Sequence, residues 1–223
     1  MRPLFLLAAA AASLWAEDFT HWIAPCSAEI AQESRCDSGD PELAEWALAA
    51  WQRTARPNLA FSAAAEEHAR IRLYWASRHT RLYGETHPIM VEGKPGAAIY
   101  VNPDVSQLGD EIYAAAKRDP LLRDAIVYLT CLHESGHALG LSHTGKFEDI
   151  MYSFGYGGDI LEYFERYRRR LTERLDIRGH SAISAYDRQR LRVLLAEPSQ
   201  FGTSDAGKPF AFSKRSLKVS TTF

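Results

Sequence analysis

An excess of either charge is missing from this sequence, in which 26 Lys and Arg stand against 28 Asp and Glu for a formal net charge of -2. So even a balance excludes the overall field that draws a basic protein to nucleic acid, and no nucleic-acid partner is expected. Long hydrophobic runs are missing too. The run Leu4 to Ala12 falls well short of the ~20 apolar residues that a membrane-spanning helix needs. Placed directly behind Met1-Arg2 and ahead of the polar Glu17-Asp18, it has the pattern of a secretory signal, although a buried N-terminal helix would show the same run. Residues 1-16 are therefore expected to be a signal peptide cleaved after Ala16, with Ala10 and Ala12 as alternatives. The mature chain would then be secreted or extracytoplasmic, in the periplasm or outside the cell, with no membrane span. Cysteine is scarce, with only Cys26, Cys36 and Cys131 present. None follows the apolar run closely enough to suggest a lipid anchor. In an exported protein Cys26 and Cys36 could close a small disulfide loop, or they could remain two free thiols.

What the sequence does contain is the stretch His133-Glu134-Ser135-Gly136-His137-Ala138-Leu139-Gly140-Leu141-Ser142-His143, in which each fixed position has its own chemical task. Helical residues four apart lie on one face, so His133 and His137 can aim their imidazoles at a single ion. Glu134 stands about 100° round the helix from His133, placed to act as a general base without being a ligand. Gly140 can take the left-handed conformation that ends a helix and lets His143 return as third ligand. Three neutral nitrogens and an open fourth position describe a catalytic zinc site rather than a structural one. Cys131 lies about 200° round the helix from the zinc-facing side and is expected in the core.

This motif with its third histidine resembles the zinc signature of the metzincin metallopeptidases, and Asp149-Ile150-Met151-Tyr152 looks like their Met-turn. The resemblance implies that Met151 forms an apolar floor beneath the metal. Ser153-Phe154-Gly155-Tyr156-Gly157-Gly158 resembles the wall of the pocket that receives the residue after the scissile bond, or is a plain glycine turn. Tyr152 would support that wall. It is not expected to be a ligand, since branches with a tyrosine ligand carry it two residues after the methionine, where Ser153 stands. Tyr156 is a weaker candidate as an oxyanion donor.

Around the motif, Phe19 to Pro25 reads as an extended piece and Cys26 to Asp40 as polar and irregular. A helix begins with Asp40 as cap and Pro41 at its first position and ends near Arg56, before Pro57. Strands are expected at Leu59 to Ser62, Ile71 to Trp75, Thr86 to Val91 and Ala97 to Val101, followed by a long helix over Leu121 to Leu139. Helix, strand, strand is the opening order of a matrixin-type domain, the metzincin branch of the matrix metalloproteases. By resemblance, one later strand is the exposed edge above the cleft, able to take an extended peptide as an added strand.

The resemblance then thins. Matrixins hold a structural zinc through His-x-Asp and further histidines, but His79 is followed by Thr80-Arg81, so His79 and His87 read better as solvated or packed. No segment matches the cysteine-switch sequence of latent matrixins. Asn102 and Asp104 read as a turn; calcium is an unsupported option, because two such residues fall short of the six to eight oxygens it takes. After the Met-turn, about 159-178 reads as a charged helical insertion, either a substrate rim or a packed helix with a solvated arginine face. A final helix runs from Arg188 to Leu195, capped by Ser184 and stopped at Pro198, with 199-223 as a flexible tail.

The expected fold is α+β: a twisted mixed sheet of about five strands packed on a long active-site helix and a second helix, with a C-terminal helix after the Met-turn, all within residues 17-198. The expected function is a secreted zinc endopeptidase acting on peptide or protein substrates, with one catalytic zinc ion, as a monomer. A narrow processing peptidase and a zinc-binding scaffold are the alternatives.

Overall fold

A computed structural model describes residues 17–80 and 83–196. The expected signal peptide with its cleavage site, Pro198 and the tail lie outside these residues. Five strands form one sheet in the order β2-β1-β3-β5-β4: β1 Glu17–Ile23, β2 Leu59–Ala63, β3 Ile71–Trp75, β4 Gly84–Val91 and β5 Lys94–Val101. All neighbours are parallel except β4, which runs antiparallel to β5 after the tight Glu92-Gly93 turn. The extended piece near Phe19 is thus an inner strand. β4 is an outer one, and its far edge carries no partner strand among the described residues.

Seven α-helices complete the described residues: α1 Ala28–Ser34, α2 Asp40–Ala55, α3 Asp110–Arg118, α4 Pro120–Ala138, α5 Ile160–Arg168, α6 Asp176–Gly179 and α7 Ala185–Ala196. The mixed α+β architecture is the one the sequence implied. Helix α4 is apolar nearly all round, with Ile126, Val127, Tyr128, Leu132 and Cys131 fully buried, as suits a helix enclosed by a sheet on one side and α2 on the other. Asp119 starts it, accepting from the Leu121 and Leu122 amides, with Pro120 in the first turn, where its missing N–H is no loss. Trp51 of α2 is fully buried and donates Nε1–H to the Leu132 carbonyl at 2.9 Å, tying the two helices together.

Three local readings are corrected. Cys26 to Asp40 is not irregular, because α1 forms there, capped by Ser27 and ended by Arg35 at φ 60°. Cys26 and Cys36, joined by a disulfide, bracket it. Asp40 is not the cap of α2; Gly39 occupies that place. The Asp40 side chain turns inward, 1% exposed, and pairs with Arg123 of α4. The segment expected as one helical insertion is two helices: α5 ends at Arg168, and in the link to α6 Asp176 Oδ2 accepts from the Thr172 and Glu173 amides.

Candidate active site

The end of α4 is built to present two side chains and then reverse. His133 and His137 share its last turns. Gly140 follows at φ 92°, and the bonds Gly140 N–H to His137 O and Leu141 N–H to Gly136 O, both 2.9 Å, close the helix. That positive φ strains any residue with a Cβ. The reversal brings His143 back, with its Nε2 3.2 Å from that of His133 and 3.1 Å from that of His137.

The other ring nitrogens settle the tautomers. His133 Nδ1 lies 2.7 Å from the Ile150 carbonyl and His137 Nδ1 lies 2.7 Å from the Leu141 carbonyl. A carbonyl only accepts, so both Nδ1 atoms carry the proton and both Nε2 atoms point bare lone pairs at one spot. One proton on His143 Nε2 could satisfy only one of its two close contacts, which leaves lone pairs facing each other unless a cation lies between them. Burial, with His143 as a lesser cause, pushes His133 down to about 4, and burial with His133 pushes His137 down to about 4. His143 is also lowered, first by burial and then by Arg190. Neutral imidazoles are what a metal requires. A tetrahedral zinc with ~2.0–2.1 Å bonds would separate its nitrogens by about 3.3 Å, so the donor set fits the ion. Among the described residues these three histidines form the one such cluster.

Met151 is fully buried and lies against the same helix at Gly136. Gly136 admits it: a Cβ there would sit 2.3 Å from Met151 Sδ and 3.0 Å from Trp51. The turn carrying Met151 is locked twice. Thr144 N–H donates to the Met151 carbonyl at 2.8 Å, and Ile150 N–H donates to Asp187 Oδ2 of α7, also at 2.8 Å. Glu134 is 6% exposed, and its Oε2 accepts from the Thr86 hydroxyl of β4 at 2.7 Å. Burial raises its pKa above the ordinary carboxylate value.

The matrixin family model matches residues 31–159, which run from α1 through the histidines and Met151 to the start of α5 and make up more than half of the chain. The chain belongs to the matrixin family. No curated protein matches it. Membership makes it a zinc metallopeptidase-type domain, and the family match stops where the arginine-rich segment begins.

Beyond that point this matrixin braces the turn at Asp149-Ile150 from α5. Tyr163 of α5 is buried and its hydroxyl lies 3.1 Å from the Asp149 carbonyl and 3.3 Å from that of Ile150. Phe164 and Tyr167 are buried beside it, so α5 is a packed helix. Tyr152 is buried as well, donating to the Gly157 carbonyl at 2.7 Å and holding the glycine loop by its ring contacts with Phe147 and Phe154. Tyr156 is 69% exposed, and its ring lies against Tyr152 and Gly145. His87 pairs with Glu85 and meets Tyr100 edge-on, while His79 lies in a turn. The oxygens of Asn102 and Asp104 bind the amides of Asp104 and Ser106, and Asp104 also faces Arg35. Sequence reasoning missed Gly84, Thr86, Gly136 and Asp187. Only Gly136 left a signal, as a glycine inside a helix where close approach is the usual reason.

Proposed function

We propose that this matrixin is an exported endopeptidase that hydrolyses internal bonds of peptides and proteins as a monomer. The observation that carries this reading is the convergence of three histidine Nε2 atoms, those of His133 and His137 bare, with a buried carboxylate one residue along the same helix from His133. His133, His137 and His143 would hold zinc, with Met151 as the floor. When bound, the ion lowers the pKa of its water to about 7 and polarises the scissile carbonyl. Glu134 takes the proton from the attacking water and returns it to the leaving amine. The unpaired edge of β4 offers backbone groups to an extended substrate, which favours binding that depends little on side chains. Tyr152 supports the wall of the pocket beyond the scissile bond, and Tyr156 stands at its exposed rim. The N-terminal apolar run supports export, as does the Cys26–Cys36 disulfide, which belongs to an oxidising compartment.

Incubation of the zinc-loaded protein with a random peptide library tests the reading. Cleavage at many sequences is expected. A single product would mark a narrow processing peptidase, and no product would overturn the peptidase assignment in favour of a zinc-binding scaffold.

A further inference from the structure

Glu134 is the one member of the site whose support comes from the sheet edge instead of the helix or the Met-turn. Its carboxylate would otherwise have three rotatable bonds with which to leave the reacting position. Two residues of β4 prevent this. The Thr86 hydroxyl lies 2.7 Å from Oε2 and 3.1 Å from the carbonyl of the same glutamate, so side chain and backbone share one anchor. Two residues earlier, a Cβ on Gly84 would sit 2.4 Å from Oε1, 2.8 Å from Cγ and 2.9 Å from Cδ. Gly84 does not have a positive φ, so its backbone conformation does not demand glycine. The space does. Both residues are held by β5, where Gly84 pairs with Val101 and Thr86 with Ile99.

We propose that Thr86 is a positioning residue for Glu134 and that Gly84 supplies the space its carboxylate occupies. The inference rests on the reading of Glu134 as general base. A threonine hydroxyl has a single proton to donate, and the shorter of its two contacts here is the one to Oε2, at 2.7 Å against 3.1 Å to the carbonyl. Thr86 keeps its bond throughout, because Oε2 remains an acceptor whether or not the carboxyl group carries a proton on its other oxygen. The strand that seats the base is also the strand whose open edge would receive the substrate, so one element sets the register of both.

The test is a steady-state comparison in the full zinc-loaded chain, with one cleaved fluorogenic peptide as substrate and metal content measured in each variant. Thr86→Val keeps the shape and removes the hydroxyl. We expect kcat to fall about 10- to 100-fold, the usual loss when a supporting hydrogen bond at a metal site is removed, with KM and zinc content close to wild type. Thr86→Ser retains the donor and should stay within about threefold of wild-type kcat, a rescue that a purely steric role would not give. Gly84→Ala should lower kcat on the scale of Thr86→Val, because a displacement near 1 Å costs about 100-fold, and it reports independently if the valine variant folds poorly. Wild-type kcat in both Thr86→Val and Gly84→Ala, or equal loss in the serine and valine variants, overturns the inference. Glu134→Ala separates the two levels. If it is inactive while Thr86→Val is unaffected, only the positioning role fails; if it is fully active, the base assignment fails and the positioning role with it.

Discussion

Replacing Gly136 by alanine sets two known effects against each other, and the geometry decides the sign. In an ordinary helix interior the change would stabilise by about 1 kcal/mol, because glycine is the poorer helix former. Here the new methyl group would lie 2.3 Å from Met151 Sδ, 3.2 Å from Met151 Cε and 3.0 Å from Trp51. Unstrained contacts of this kind need ~3.5–4.0 Å. Methionine is flexible, but Met151 and Trp51 are both fully buried and have no open space to swing into. Overpacking of this kind costs about 1–3 kcal/mol, so the balance is a net loss of about 1 kcal/mol, or a Tm lower by about 2–4 °C for a domain of this size. The assay is thermal unfolding of the metal-free protein, which keeps zinc binding out of the comparison. A second background sharpens it. With Met151→Ala already in place the contacts to Sδ and Cε are gone, and Trp51, at 3.0 Å, can give a few tenths of an ångström into the space the methionine leaves, so Gly136→Ala should regain its helical preference and raise the Tm. Stabilisation by Gly136→Ala alone, or the same sign in both backgrounds, would refute the argument that this glycine exists to admit the methionine.

Arg123→Ala leaves the Asp40 carboxylate, 1% exposed, without its guanidinium. Stranding one member of a buried pair costs about 3–5 kcal/mol, which a urea titration would show as a large drop in midpoint. Asp187 offers a pH signature. Burial first, and the neighbouring Asp149 second, hold its pKa above the ordinary carboxylate value. The native state therefore keeps this proton to a higher pH than the unfolded chain does, and the group lowers stability as pH rises from the ordinary carboxylate value through the raised one. Asp187→Asn should flatten the stability profile of the metal-free protein over that window, measured by urea unfolding at a series of pH values. An unchanged slope would remove Asp187 as its source.

The site was legible where its logic is local. The spacing of His133, Glu134, His137, Gly140 and His143 is fixed by helical geometry and one turn, so a pattern of 11 consecutive residues contains nearly all of it. The strands and α4 were legible for the same reason. What could not be read depends on partners distant in the chain. Asp40 looked like a cap because aspartate is a preferred capping residue and proline suits the first helical position, but Arg123, 83 residues away, draws it inward. Thr86 reaches Glu134 across 48 residues and Asp187 reaches Ile150 across 37, through contacts that leave no period or motif. The break between α5 and α6 was hidden because an arginine-rich amphipathic stretch carries no glycine or proline until Gly179, and the link between the helices is held by the Asp176 side chain.

The central claim is that three histidines hold zinc while Glu134 moves the proton. Its most direct test is paired measurement of zinc content and peptide hydrolysis in the wild-type protein and in Glu134→Ala. The prediction is one zinc per chain in both proteins, with hydrolysis slowed at least about 10²- to 10⁴-fold in the variant. A Glu134→Ala protein that retains its zinc and cleaves at the wild-type rate would contradict it.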